Sequence, residues 1–194
     1  MVIFGVLAFF VRERSFSMKS DQELIELANK GDSDAFEALY RRHRDWVYSL
    51  AWRFTGNRTD ALDVLQETFA YLLGKFPGFE LTSSMTTFLY PVVRHVSATI
   101  RSRTGRFASE EQIVDEAGAP ESRKSEYYRS ELAAVLIALP IEQREVLLMR
   151  FVDDMNLQEI AAALDIPVGT VKSRLHNALR TVRSDRRTRD YFLE

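Results

Sequence analysis

At 194 residues the chain has room for one large domain or two small ones, and with 46% hydrophobic and 28% charged residues it can bury a core and is too apolar for wholesale disorder. Zero cysteines exclude a disulfide scaffold, a thiol nucleophile and any zinc or iron–sulfur site built on thiolates, and they permit a reducing, cytosolic home. With 26 Lys and Arg against 28 Asp and Glu the net charge is −2, so a nucleic-acid surface has to be a local patch.

The chain opens on an apolar run from Val2 to Val11. It is about half as long as a membrane-spanning helix, so no membrane span is expected. It lacks a basic residue ahead of it and a small-x-small cleavage site behind it, which makes it a poor secretory signal. Residues 1–17 therefore read as an extension, and the working protein is expected to begin near Met18. Directly after it, Ser20-Asp21-Gln22-Glu23 is a capping-box pattern that opens a helix.

Helical spacing then continues. Phe36, Leu39, Tyr40, Val47, Leu50, Ala51 and Phe54 mark one helix; Val64, Leu65, Phe69, Leu72 and Phe76 a second; Leu89, Val93, Val96 and Ile100 a third. Breakers separate them at Gly31-Asp32-Ser33, at Gly56-Asn57 and over the loop from Pro77-Gly78 to Ser83-Ser84. Alternating strand-like runs are absent. These signals predict an N-terminal helical bundle over residues 18–103.

From Thr104 the periodicity fails, and the composition turns to Gly, Ser, Pro and acids, among them Glu110, Glu111, Asp115, Glu116 and Glu121. A flexible linker is expected over 104–125. A second, smaller helical unit over 126–188 follows, so the predicted fold class is all-α with two small helical domains. Within it, Asn156 and Glu159 stand as N-cap and N3 of a short helix from Leu157 to about Leu164. The turn Asp165-Ile166-Pro167-Val168-Gly169 leads into another helix from about Thr170.

A short helix, a tight turn and a second helix opening on Gly-Thr-Val-Lys-Ser-Arg form a helix-turn-helix, whose second helix can enter a major groove. Charge supports this reading. Between Ile166 and Arg189, seven bases (Lys172, Arg174, Arg180, Arg183, Arg186, Arg187, Arg189) face one acid, Asp185, for a net +6, whereas Ile141 to Asp165 carries −4. A solvated charged hairpin would show a basic face too. Here, however, Ser173, Arg174 and Asn177 lie together near the helix start, where base edges are read, with Lys172 and the later arginines suited to phosphates and Val171 and Leu175 on the opposite side.

Leu139-Pro140, Arg144-Glu145-Val146-Leu147-Leu148, Glu159-Ile160-Ala161 and Ile166 to Leu175 together resemble region 4 of bacterial sigma factors of the extracytoplasmic-function type. Gly31-Asp32, Ala35-Phe36, Leu39-Tyr40, Ala61, Asp63, Gln66-Glu67 and Phe69 are similar to region 2 of the same family. The resemblance runs from Asp21 to Arg183, in family order.

It implies a cytoplasmic, non-enzymatic protein that directs core RNA polymerase to promoter DNA, with an anti-sigma factor as a further partner. On these positions it implies polymerase docking by Asp63, Gln66 and Glu67, and opening of the downstream (−10) element by Phe79, Phe88, Arg94, His95 and Arg101. Reading of the upstream (−35) element would fall to Thr170, Lys172, Ser173, Arg174, Asn177 and Arg180. Several residues depart from the family pattern: Phe88-Leu89 replaces Trp-Leu, His95 replaces Asn, Thr99 and Asn177 replace Asp and Arg, Leu62 a frequent Glu, and Asp165 a turn Gly. Pro91 has to lie in the first turn of its helix or kink it.

Catalysis finds little support. No Gly-x-Gly pair or Gly-x-Ser-x-Gly exists, Phe69 stands where a phosphate loop ending in Gly74-Lys75 needs Gly, and His43, His95 and His176 lie far apart. No cofactor, metal ligand set or catalytic residue is expected. The rival reading is a transcription regulator that binds a duplex operator through the helix-turn-helix without polymerase.

Overall fold

The computed structural model describes residues 18–104 and 123–188, and every element among them is a helix. The expected extension lies outside the described residues, as do Arg189 of the basic tract and all of the expected linker except Thr104 and residues 123–125, which belong to helices.

Four helices build the N-terminal unit: α1 (Asp21–Asn29), α2 (Ser33–Thr55), α3 (Arg58–Leu73) and α4 (Met85–Thr104). Each of the first three begins where a side chain satisfies an orphan amide. Ser20 and Glu23 exchange hydrogen bonds in the expected capping box, Asp32 accepts from the Asp34 and Ala35 amides, and Asn57 accepts from Asp60. Helix α2 ends at Gly56, whose φ of +61° is the left-handed cap that glycine tolerates.

Pro91 sits inside α4, beyond its first turn. There its ring removes the amide that would otherwise reach the Thr87 carbonyl. The core of this unit is made of Leu24, Ile25, Leu39, Leu50, Leu72, Met85 and Leu89, all essentially without exposure.

The C-terminal unit holds α5 (Arg123–Ala138), α6 (Ile141–Phe151), α7 (Leu157–Leu164) and α8 (Val168–Ser184). Asn156 and Glu159 form the expected reciprocal cap, and α7 ends at Asp165 with φ 52° and ψ 49°. A short polar side chain tolerates that left-handed position better than most. Asp154 adopts a positive φ too, in the loop between α6 and α7. Helix α8 starts two residues before the expected Thr170, because Pro167, extended at φ −60° and ψ 143°, already serves as the N-cap.

The two units are not separate bodies. One continuous cluster of buried side chains runs from Leu24 and Leu39 through Tyr90 and Val93 to Val146, Met149, Met155 and Ile160, and α4 packs directly against α7. A second, smaller cluster (Val135, Leu136, Leu139, Leu147, Ala178, Val182) closes α5, α6 and α8 on each other. No helix among the described residues is long and apolar enough to cross a membrane.

Candidate nucleic-acid interface

On α8 the periodicity splits the side chains cleanly. Val171, Ala178 and Val182 are buried, while Lys172, Ser173 and Arg180 are exposed and Thr170, Arg174 and Asn177 are half-buried on the outer side. Ser173 donates its hydroxyl to the Thr170 carbonyl at 3.0 Å, which ties it to the helix backbone when no base is present. Arg183 continues the basic face to the helix end, and Arg186 and Arg187 follow just past Ser184; Arg187 closes on Asp185 at 2.9 Å and holds that carboxyl down at about 2. The arrangement offers hydroxyl, amide and guanidinium groups at one end of a helix and cations along the rest.

On α3 the two faces are equally distinct. Ala61, Val64, Leu65, Thr68, Phe69 and Leu72 are buried, and Asp63, Gln66 and Glu67 point to solvent. The latter three, with Ile100 and Arg103 of α4, line an open pocket of about 210 Å³. Glu67 meets Arg103 at 3.5 Å, both side chains substantially exposed, so the pair holds little energy and leaves the carboxylate available. Leu62, beside them, is 41% exposed and adds an apolar edge.

The residues expected to open DNA do not form one surface. Phe79 is buried, its ring 5.5 Å from that of Phe76 and 4.8 Å from that of Phe88. Arg101 is half-buried and donates to the Phe54 carbonyl at 3.3 Å. Phe88 is half-buried, and Arg94 and His95 are exposed on α4. Sequence reasoning missed the outward aromatic beside them: Tyr71, 45% exposed, stacks on Phe88 at 6.4 Å with Lys75 Nζ 4.5 Å over its ring. An exposed aromatic and a Lys at i and i+4 was the available signal.

Also missed was a polar contact between the two units. Asp153, its side chain only 2% exposed, accepts from Arg53 Nη2 through both oxygens, at 2.6 and 2.7 Å, and from Trp46 Nε1 at 2.9 Å. Nearby, Glu145 accepts from the Tyr90 hydroxyl at 3.1 Å and lies 3.4 Å from Arg94 Nε. Burial, and then the Glu145 carboxylate, push the Tyr90 phenol far above its ordinary value, so it remains a donor. Trp46 and Arg53 are two helical turns apart on α2 and share a face, the one local hint of a partner. Among the described residues no group of three or more His, Asp or Glu is placed to hold a metal ion.

Known proteins match this architecture along most of its length. Residues 39–107 match the family model for sigma-70 region 2, and residues 129–182 that for sigma-70 region 4. The ECF RNA polymerase sigma factor SigW of Bacillus subtilis is 29% identical over 177 residues, covering 84% of this chain and 95% of its own. The ECF RNA polymerase sigma-E factor of Escherichia coli K12 is 31% identical over 177 residues, covering 84% and 92%.

Two solved structures share the fold. CnrH in complex with the cytosolic domain of CnrY has a TM-score of 0.62 at 22% identity, covering 84% of this chain and 94% of that one. The sigma factor RpoE in complex with the anti-sigma factor NepR from Bartonella quintana has a TM-score of 0.57 at 20% identity, covering 76% and 94%. With regions 2 and 4 both present in order and sigma-E at 31% identity over nearly its full length, the chain belongs to the ECF RNA polymerase sigma factors.

Proposed function

We propose that this sigma factor divides its work between three faces. The outward Asp63, Gln66 and Glu67 of α3 dock on a basic surface of core RNA polymerase. The α3–α4 loop and the adjoining face of α4, with Phe88, Arg94 and His95, hold the opened −10 element. Helix α8 reads the −35 element, with Thr170, Ser173, Arg174 and Asn177 toward base edges and Lys172 and Arg180 on phosphates. Buried Phe79 and backbone-tied Arg101 act by shaping this region from within.

The observation that carries the reading is the pairing, in one chain, of an exposed acid–amide stripe on α3 with a basic, hydroxyl- and amide-bearing face on α8. The first suits a basic protein partner, the second nucleic acid. An anti-sigma partner, present in the RpoE–NepR complex, is carried over to this chain on the shared fold. The protein then acts in the cytoplasm, where polymerase and promoter are, as a binding subunit without catalytic groups of its own.

Reconstitution with core polymerase on promoter DNA tests this. One copy should bind core and direct specific transcripts. Binding of a duplex operator by the free protein, with no transcripts when core is added, would identify a polymerase-independent regulator instead.

A further inference from the structure

Tyr71 belongs to none of the three faces just described. It stands outward on α3, nearly half exposed, and its ring stacks on Phe88 of α4 at 6.4 Å with 22° between the planes. It is also the open end of a row of rings. Phe36 of α2 meets Phe76 at 5.7 Å, Phe76 meets Phe79 at 5.5 Å, and Phe79 meets Phe88 at 4.8 Å. An exposed ring seated on such a row is held in position before any ligand arrives, so stacking on it costs little further ordering.

The neighbours of the ring select the ligand. Lys75, four residues on and just past the end of α3, sets its ammonium 4.5 Å from the centroid of the Tyr71 ring. On the other side of Phe88 the path continues along α4, where exposed His95 lies seven residues, or two turns, away. Flat aromatic faces with a cation beside them are what a single-stranded nucleic acid binds, bases on the rings and phosphates on the cation.

By spacing alone, Tyr71 continues the ridge of Asp63 and Glu67, four residues per step, toward a contact with polymerase. Charge separates it from that ridge. The docking stripe is acidic and suits a basic partner, whereas the Tyr71 ring carries a lysine, which repels such a partner and attracts a phosphate.

We propose, resting on the sigma-factor reading above, that Tyr71 is a base-stacking residue for the opened strand and Lys75 its phosphate partner. The strand passes Phe88 on α4 and crosses to the end of α3. One unpaired base takes the place of Lys75 on the Tyr71 ring, and the ammonium moves to the adjoining phosphate. Tyr71 and Lys75 are both exposed, so this exchange needs no rearrangement of the core. Every base has a π-face, so the contact holds the strand open without preference for its sequence, in contrast to the reading of base edges by α8.

The test uses holoenzyme, formed with core polymerase, on a promoter that it transcribes. The promoter is opened in advance by mismatches, and 2-aminopurine, whose fluorescence is quenched by stacking, replaces one base of the opened strand at a time. At one position the wild type should keep the probe quenched, Tyr71→Phe should keep it quenched too, and Tyr71→Leu, which retains bulk without a π-face, should release the fluorescence. Affinity for the pre-opened DNA should fall at least about fivefold in Tyr71→Leu, the lower end of what one base–aromatic stack contributes. Lys75→Glu, which sets an acid beside the phosphate, should lower that affinity at least about fivefold as well while core binding is retained. It decides the matter if circular dichroism shows that Tyr71→Leu has unfolded.

Equal fluorescence from wild type and Tyr71→Leu at every position overturns the stacking role, as does a Tyr71→Phe protein as defective as Tyr71→Leu. Unchanged affinity in Lys75→Glu removes the phosphate partner. Loss of core binding by Tyr71→Leu in parallel with its loss on DNA moves Tyr71 to the docking face. Failure of the wild type to bind core overturns the sigma-factor reading itself, and this role with it.

Discussion

Asn29 and Phe79 hold each other through the backbone: the Asn29 amide donates to the Phe79 carbonyl at 2.9 Å, and its oxygen accepts from the Phe79 amide at 3.0 Å and the Gly78 amide at 2.7 Å. One side chain at the end of α1 thus satisfies three groups of the loop between α3 and α4. Gly78, at φ +97°, supplies the backbone turn that lets two successive amides converge on one oxygen. Asn29→Ala should cost about 1–2 kcal/mol of stability, since three modest hydrogen bonds are lost at a partly solvated site. It should also slow promoter opening more than it weakens core binding. Thermal unfolding and a permanganate footprint of the opened strand check the two parts.

Reversing charge at the docking stripe tests the polymerase face. Asp63→Lys with Glu67→Lys should leave unfolding within about 0.5 kcal/mol of wild type, because both positions are solvated and the Glu67–Arg103 pair is weak. Co-purification with core polymerase should fall at least tenfold. Retention of full binding would remove α3 as the docking face.

On α8 two kinds of contact predict different data. Arg174→Ala should relax preference for the promoter over scrambled upstream DNA by about 1–3 kcal/mol, the worth of a bidentate guanine contact. Lys172→Ala should weaken both DNAs alike and lower the salt slope by about one unit. Holoenzyme binding across several salt concentrations separates them. An equal loss on both DNAs from Arg174→Ala would reassign that residue to phosphate.

Asp21 predicts a pH dependence. Partial burial opposes its ionisation, but the hydrogen bonds and charges of His43 and Arg42, at 2.9 and 2.7 Å, outweigh it and bring the carboxyl below its ordinary range. A carboxyl lowered on folding stabilises above its unfolded value and loses that contribution as the pH falls through its folded value. Asp21→Asn should therefore be less stable near neutrality by about 0.5–1 kcal/mol, in line with a partly solvated pair. The difference should vanish on acidification past the carboxylate range. A constant difference at all pH values would assign the loss to packing.

What the sequence disclosed was local. Ser20 with Glu23 and Asn156 with Glu159 are reciprocal caps written within four residues, and Asp165 takes the left-handed turn its side chain permits. Asp63, Gln66 and Glu67 were singled out by the family resemblance, and the helical period of Val64, Leu65, Phe69 and Leu72 agrees with their outward placement. The resemblance places Phe79 among the residues that open the −10 element, whereas the structure buries it. The Asn29 tie, 50 residues away in sequence, turns it inward, and no local pattern encodes a contact at that separation. Asp153 was counted only as one acid in a negative stretch. Its partners lie 100 and 107 residues earlier, so its burial was invisible until the units were placed together.

The core that runs unbroken across both units gives their contact a thermal signature. Parting α4 from α7 exposes apolar surface to water, which carries a positive heat-capacity change, and the apolar share of the attraction weakens on cooling. The Asp153–Arg53 pair does not share that dependence. In the cold the two units are therefore held increasingly by the Asp153 and Glu145 carboxylates, and Asp153→Asn should weaken their contact most near 0 °C.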